Sequence, residues 1–163
     1  MFKHIVSPVD GSYGSLAALD KVVAIARAFD SRVTIVYVVD PYPFTGVGTE
    51  FAYGQDEYLN AARAEGRAAL DLAVQRLERD GIRPETRVVE SHAIWRGVTD
   101  VINEIDADLV IMASHGRRGL ERLLLGSVTQ SVLAHTRVAT LVVRQEPGAE
   151  EAAAAGAAGD AKA

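Results

Sequence analysis

No cysteine occurs among the 163 residues. A disulfide framework, a thiolate metal site and a cysteine nucleophile are therefore excluded, and the composition agrees with a reducing compartment. Long apolar runs are lacking as well. No window approaches the roughly 18 apolar residues that a membrane span requires, and the opening "MFKHIVSPVDGS" has no apolar core behind a basic start. The expectation is a soluble, unexported, cytoplasmic protein with no membrane insertion. Basic charge is the third shortage: 17 Lys and Arg stand against 22 Asp and Glu, a formal net charge of -5. A surface of that sign disfavours broad contact with a polyanion, so no nucleic-acid partner is expected.

Four short apolar runs rich in β-branched residues, at 4–9, 32–39, 108–114 and 138–144, read as buried strands bounded by turn signals. A fifth, "RPETRVVES" at 83–91, alternates apolar and polar residues and suits a strand nearer an edge. Helical patterns lie between them. "SLAALDKVVAIARAFD" spaces Leu16, Leu19, Val23 and Ala26 by three and four, with Ser12 or Ser15 as N-cap. "DEYLNAARAEGRAALDLAVQRLERDG" is long, with Gly81 as its stop, and "RGVTDVINEID" and "SVTQSVLAHT" complete the set.

The order β-α-β-α-β-α-β-α-β predicts one α/β domain over residues 1–145, an open parallel five-stranded sheet with helices on both faces. Two segments interrupt the alternation. "DPYPFTGVGTEFAYG" at 40–54 holds two prolines, three glycines and four aromatics, and reads as a long irregular loop. From 146 to 163 the chain is an Ala/Gly-rich tail with too little apolar bulk to pack, and it reads as disordered.

The stretch "ASHGRRGLERLLLGSVTQSV", 113–132, puts three glycines and three arginines where one of these strands hands over to a helix. Ligands of open parallel sheets bind at carboxyl ends of strands. Gly116, Gly119 and Gly126 can supply close backbone approach and unusual dihedrals, while Arg117, Arg118 and Arg122 present planar forks suited to phosphate oxygens. At Gly126-Ser127, bare amides and the positive end of the helix dipole can hold an anion. Ser127 with Gln130 also spells a capping box that needs no ligand; from that pair alone the two readings stand level. Leu123 to Leu125 read as packing residues.

No Lys precedes a Ser or Thr behind a glycine loop and no G-x-G-x-x-G opens the first helix, so neither common nucleotide-binding template applies. "SPVDGS" after the first strand and "MASHGRRGLERLLLGS" after the fourth do resemble the universal stress protein family over roughly residues 2–145. Its nucleotide-binding members carry a small residue or Gly, two residues, Gly, nine residues, then Gly and Ser or Thr. Matched position by position, the resemblance implies that Ala113, Gly116, Gly126 and Ser127 form the phosphate and ribose loop, with Ser114 and His115 between the first two; Met112, His115, Arg117, Arg118, Val128 and Thr129 complete the candidate nucleotide-binding set on this side. It also implies that Pro8, Val9 and Asp10 line the adenosine end and that Val38 offers its backbone to adenine. Ala113 stands where the family usually has Gly, and "HTRVAT" lacks the usual proline turn.

The resemblance implies an ATP-binding regulatory protein, with or without Mg²⁺, that forms a homodimer through the last strand, 138–144. No catalytic constellation accompanies the loop, so the reading is non-enzymatic; a slow ATPase or phosphotransferase using Asp10 or His115 and a nucleotide-free dimerisation module are the alternatives. His4, His92, His115 and His135 have no metal-ligand spacing. Trp95 reads as a packing anchor, and Asp106 and Asp108 as turn residues.

Overall fold

The computed structural model describes residues 1–41, 49–116 and 125–144. Its strands are β1 (His4–Pro8), β2 (Arg32–Val39), β3 (Glu85–Glu90), β4 (Leu109–Ala113) and β5 (Ala139–Val143). The helices are α1 (Tyr13–Ala17), α2 (Leu19–Phe29), α3 (Thr49–Arg79), α4 (Ile94–Glu104) and α5 (Ser127–His135). All strand pairs are parallel, in the order β3-β2-β1-β4-β5. The alternating strand is indeed an edge, with β5 at the other.

Each face carries its own core. Ile5, Ile35, Tyr37 and Ile111 on one side of the sheet meet Leu19 and Val22 of α2 and Leu70, Ala73 and Leu77 of α3. On the other side Val6, Val36 and Val110 meet Val98 and Ile102 of α4 and Val132 of α5. Central strands buried on both faces explain why β1, β2 and β4 read as nearly continuous apolar runs. Gly66 lets α3 lie directly on β2, since a Cβ there would reach within 2.6 Å of the Tyr37 ring.

Two element boundaries differ from the sequence expectation. The helix expected across 15–30 is two: Ser12 caps α1 through its side chain, and α2 starts afresh at Leu19. The long helix begins at Thr49, inside the segment expected to be irregular. Prolines in that segment stop at Pro43, so nothing sterically bars a helix after it, and Gly54 costs a long helix only about 1 kcal/mol. Gly81 does end α3, at φ +78. Residues 42–48, the loop residues 117–124 that include Arg117, Arg118, Gly119 and Arg122, and the tail lie outside the described residues.

Candidate nucleotide site

The strand order reverses direction between β1 and β4: α2 and α3 return over one face, α4 and α5 over the other. Crossovers diverging this way leave a crevice beyond the carboxyl ends of those two strands. Both sequence segments singled out above leave the sheet there.

From β1 the chain runs through Pro8 and Val9 to Asp10. Val9 is buried and its amide donates to the Val36 carbonyl at 2.9 Å. Gly11, at φ 79, makes the reversal into α1. The Asp10 carboxylate folds back over this turn: Oδ1 accepts from the Ser12 amide at 3.0 Å and from the Ser12 hydroxyl at 2.6 Å. Oδ2 lies against the Cα of Gly116, so close that a Cβ on Gly116 would overlap it. Ends of β1 and β4 that are over a hundred residues apart in sequence are thereby in contact.

Since the Val36 carbonyl serves β1 and the Val39 carbonyl serves Ser91 on the β3 side, the two-residue period of a strand turns the main-chain groups of Val38 toward β1 as well. β1 pairs only as far as Pro8 with Val36. Val38 therefore presents its amide and carbonyl beyond the end of that strand, while its side chain is buried beneath Gly97 of α4.

On the β4 side Ser114 is the organising residue. Its amide donates to the Val143 carbonyl at 2.8 Å, its carbonyl accepts from the Gly126 amide at 2.8 Å, and its hydroxyl lies 3.2 Å from His115 Nδ1. Thr129, buried in the first turn of α5, donates its hydroxyl to the Ala113 carbonyl at 3.0 Å. These bonds bring the start of α5 against the end of β4 at both ends of the intervening loop. Met112 is buried in the α4 side of the core and pairs along β4 with Val142 of β5, and Val128 is half-buried against the same core.

Gly126 is the N-cap of α5 and Ser127 its first helical residue, so the capping box expected as one reading of Ser127 and Gln130 is not formed. Gln130 instead donates through Nε2 to the Leu125 carbonyl at 2.5 Å. As a glycine, the N-cap has no side chain with which to cap the amides of the first turn, which are the groups an anion at a helix start engages. Gly126 has φ -59, an ordinary value, so the unusual dihedral expected of it is absent. Space is its reason: a Cβ would stand 3.2 Å from the Ser114 carbonyl oxygen and 3.5 Å from the His115 Cα.

Of the expected site residues, Pro8, Val9, Asp10, Ala113, His115, Gly116, Gly126, Ser127 and Thr129 thus gather where β1, β4 and α5 meet. Two that sequence reasoning gave only minor parts, Ser12 and Ser114, hold the arrangement together. The spacing Asp-x-Ser, which favours a side-chain bond to the amide two residues on, is the signal for Ser12. Among the described residues no group of three His, Cys, Asp or Glu is placed to hold a metal ion, and no helix is long and apolar enough to cross a membrane.

The sequence model of the universal stress protein family matches residues 1–144. A universal stress protein of Methanocaldococcus jannaschii is 35% identical over 146 residues, 89% of this chain and 84% of its own length. A universal stress protein from Lactobacillus plantarum shares the fold with a TM-score of 0.78 at 23% identity, over 88% of this chain and 98% of that one. A universal stress protein from Archaeoglobus fulgidus, solved in complex with dAMP, does so with a TM-score of 0.60 at 18% identity, over 87% and 97% of the two chains.

Proposed function

This chain belongs to the universal stress protein family, and on that footing we propose that it binds an adenine nucleotide, ATP in particular, in the crevice between β1 and β4 and acts as a nucleotide-responsive regulatory protein. The observation that carries the reading is the cradle of Gly116 and Gly126: two positions where a single methyl group would fill space beside Asp10 and beside the Ser114 carbonyl, at the start of α5, whose N-cap is a glycine. A nucleotide of this class is bound by the Archaeoglobus fulgidus protein of the same fold.

In this reading the first-turn amides of α5 and the Ser127 hydroxyl hold the phosphates, with the helix dipole adding to the attraction for negative charge. Arg117 and Arg118 supply positive charge and planar donors for the phosphates. The ionised Asp10 accepts from ribose hydroxyls or the adenine amino group, and Val38 presents a main-chain donor and acceptor to the adenine edge. Met112, Ala113, His115, Val128 and Thr129 form the walls. Mg²⁺, where it accompanies ATP, is held chiefly by the phosphate oxygens, as such ions keep several waters and take few protein ligands. The chemistry required of the chain is binding rather than turnover, because no base or water-orienting group is assigned to the phosphate end.

Occupancy is read out through a homodimer formed by β5 in this reading. β5 is an edge of the sheet, and an edge offers unpaired amides and carbonyls to a second copy. The location is the cytoplasm, and the tail after residue 145 is dispensable for folding and for the nucleotide.

Mass spectrometry of small molecules released from the purified protein tests the ligand class. An adenine nucleotide at near one per chain supports the reading; a nucleotide-free protein that also fails to take up added ATP, AMP or cyclic AMP overturns it.

A further inference from the structure

We infer that Ser12 is a positioning residue for the nucleotide: its hydroxyl and amide together clamp one oxygen of Asp10 and so turn the other toward Gly116 and the crevice. The inference rests on the nucleotide-binding reading above but concerns a residue outside the binding set proposed there.

A carboxylate at the mouth of a crevice has two equivalent oxygens and a freely rotating bond, and its use as an acceptor depends on which way it is held. Here Oδ1 accepts twice from one residue, from the Ser12 amide at 3.0 Å and from its hydroxyl at 2.6 Å. Oδ2 is the oxygen against Gly116. The Ser12 hydroxyl has one proton, which it gives to Asp10; its lone pairs accept from the Ser15 amide at 3.2 Å, the bond that caps α1. Ser15 completes the ring, donating its hydroxyl to the Ser12 carbonyl at 2.9 Å and accepting from the Asp10 amide at 3.3 Å. Every member is thus oriented by another, and Ser15 is buried at the base. Such a network fixes a geometry more firmly than one hydrogen bond can.

Two jobs are therefore combined in one hydroxyl. Accepting from Ser15 caps a helix, which Asp does as well as Ser. Donating to Asp10 orients a carboxylate, which Asp at position 12 cannot do, since it is acceptor-only when ionised and repels Asp10. Thr retains both abilities, and the N-cap backbone at φ -69 and ψ 155 is extended, a conformation a β-branched residue favours.

Three variants separate the jobs: Ser12→Thr, Ser12→Asp and Ser12→Ala. Melting temperature, ATP affinity by calorimetry and the Asp10 side-chain rotamer from NMR three-bond couplings are measured for each. The expected result is wild-type behaviour throughout for Ser12→Thr. Ser12→Asp keeps its melting temperature but loses the single Asp10 rotamer and at least about tenfold in affinity, and Ser12→Ala loses all three. An Asp10 rotamer that stays fixed in Ser12→Asp overturns the inference whether or not any nucleotide binds, and wild-type affinity in that variant does the same. A wild-type protein that ignores ATP while its Asp10 rotamer depends on Ser12 overturns the nucleotide reading instead, and with it the role assigned to the clamp.

Discussion

The carboxylate of Asp10 rests against the Cα of Gly116, with no room between them for a side chain. Gly116 does not have a positive φ, so glycine is required there by space alone. Gly116→Ala must push the carboxylate aside or move the loop. We expect circular dichroism of the variant to match wild type and its affinity for ATP to fall by at least about tenfold, about 1.4 kcal/mol. Undiminished affinity would show that the position of Asp10 is irrelevant to the ligand.

The contact of α3 with β2 makes a prediction about stability without reference to any ligand. Alanine in place of Gly66 gains about 1 kcal/mol of helix propensity, but its Cβ meets the buried Tyr37 ring at 2.6 Å. Overpacking of this kind costs about 1–3 kcal/mol, and the ring is held on both sides by the sheet and the helix. Gly66→Ala is therefore expected to lower the denaturation midpoint; a rise would mean that α3 sits farther from the sheet.

Acid should weaken the fold through His4. Burial, then the nearby Arg32 charge, lowers its pKa below the ordinary value of 6.5, against opposing pulls from the Ile105 carbonyl, Glu85 and Asp108. A base that is harder to charge when folded binds fewer protons than it does unfolded, so its contribution to stability is complete above 6.5 and is lost as pH falls from there toward the lowered value. His4→Gln retains a partner for the Thr34 hydroxyl, which lies 2.8 Å from His4 Nε2. Denaturation at several pH values should show a shallower decline below 6.5 in the variant; identical slopes would mean that His4 charges freely in the folded state.

The proposed dimer has its own test at Val142. Leu141 and Val143 pack on the core shared with α2 and α3, so alternation turns Val142 to the opposite face, where it is half-buried. Lysine there can reach solvent without entering the main core. Light scattering together with circular dichroism should find a dimer for wild type and a folded monomer for Val142→Lys. A monomeric wild type at micromolar concentration contradicts the proposal, and an unfolded variant would mean that Val142 belongs to the core.

Much of this architecture was legible because each strand buries a run of β-branched residues whose ends are marked by turn residues. "RVTIVYVV" coincides with β2, and "SVTQSVLAH" with α5. The start of α3 was not, because prolines at 41 and 43 and the glycines around them dominate the local pattern while a helix starting at Thr49 draws on nothing that they forbid. At the site, spacing identified Gly116 and Gly126 as positions of close approach, yet the groups approached are distant in sequence. The Asp10 oxygen beside Gly116 and the Ser114 carbonyl beside Gly126 exist as neighbours only once β1 and β4 lie side by side. The choice of Gly126 over Ser127 as N-cap likewise followed from the bond between the Gly126 amide and Ser114, a tertiary contact that overrides a local capping pattern.

Calorimetric titration of ATP into the purified wild-type protein and into Gly126→Val tests the central claim most directly. The valine branches where a Cβ already stands 3.2 Å from the Ser114 carbonyl oxygen, at the proposed phosphate contact. Wild type should bind about one ATP per chain, and the variant, folded by circular dichroism, at least about tenfold more weakly. A wild-type protein that gives no saturable heat, or a variant that binds as tightly as wild type, would contradict the account.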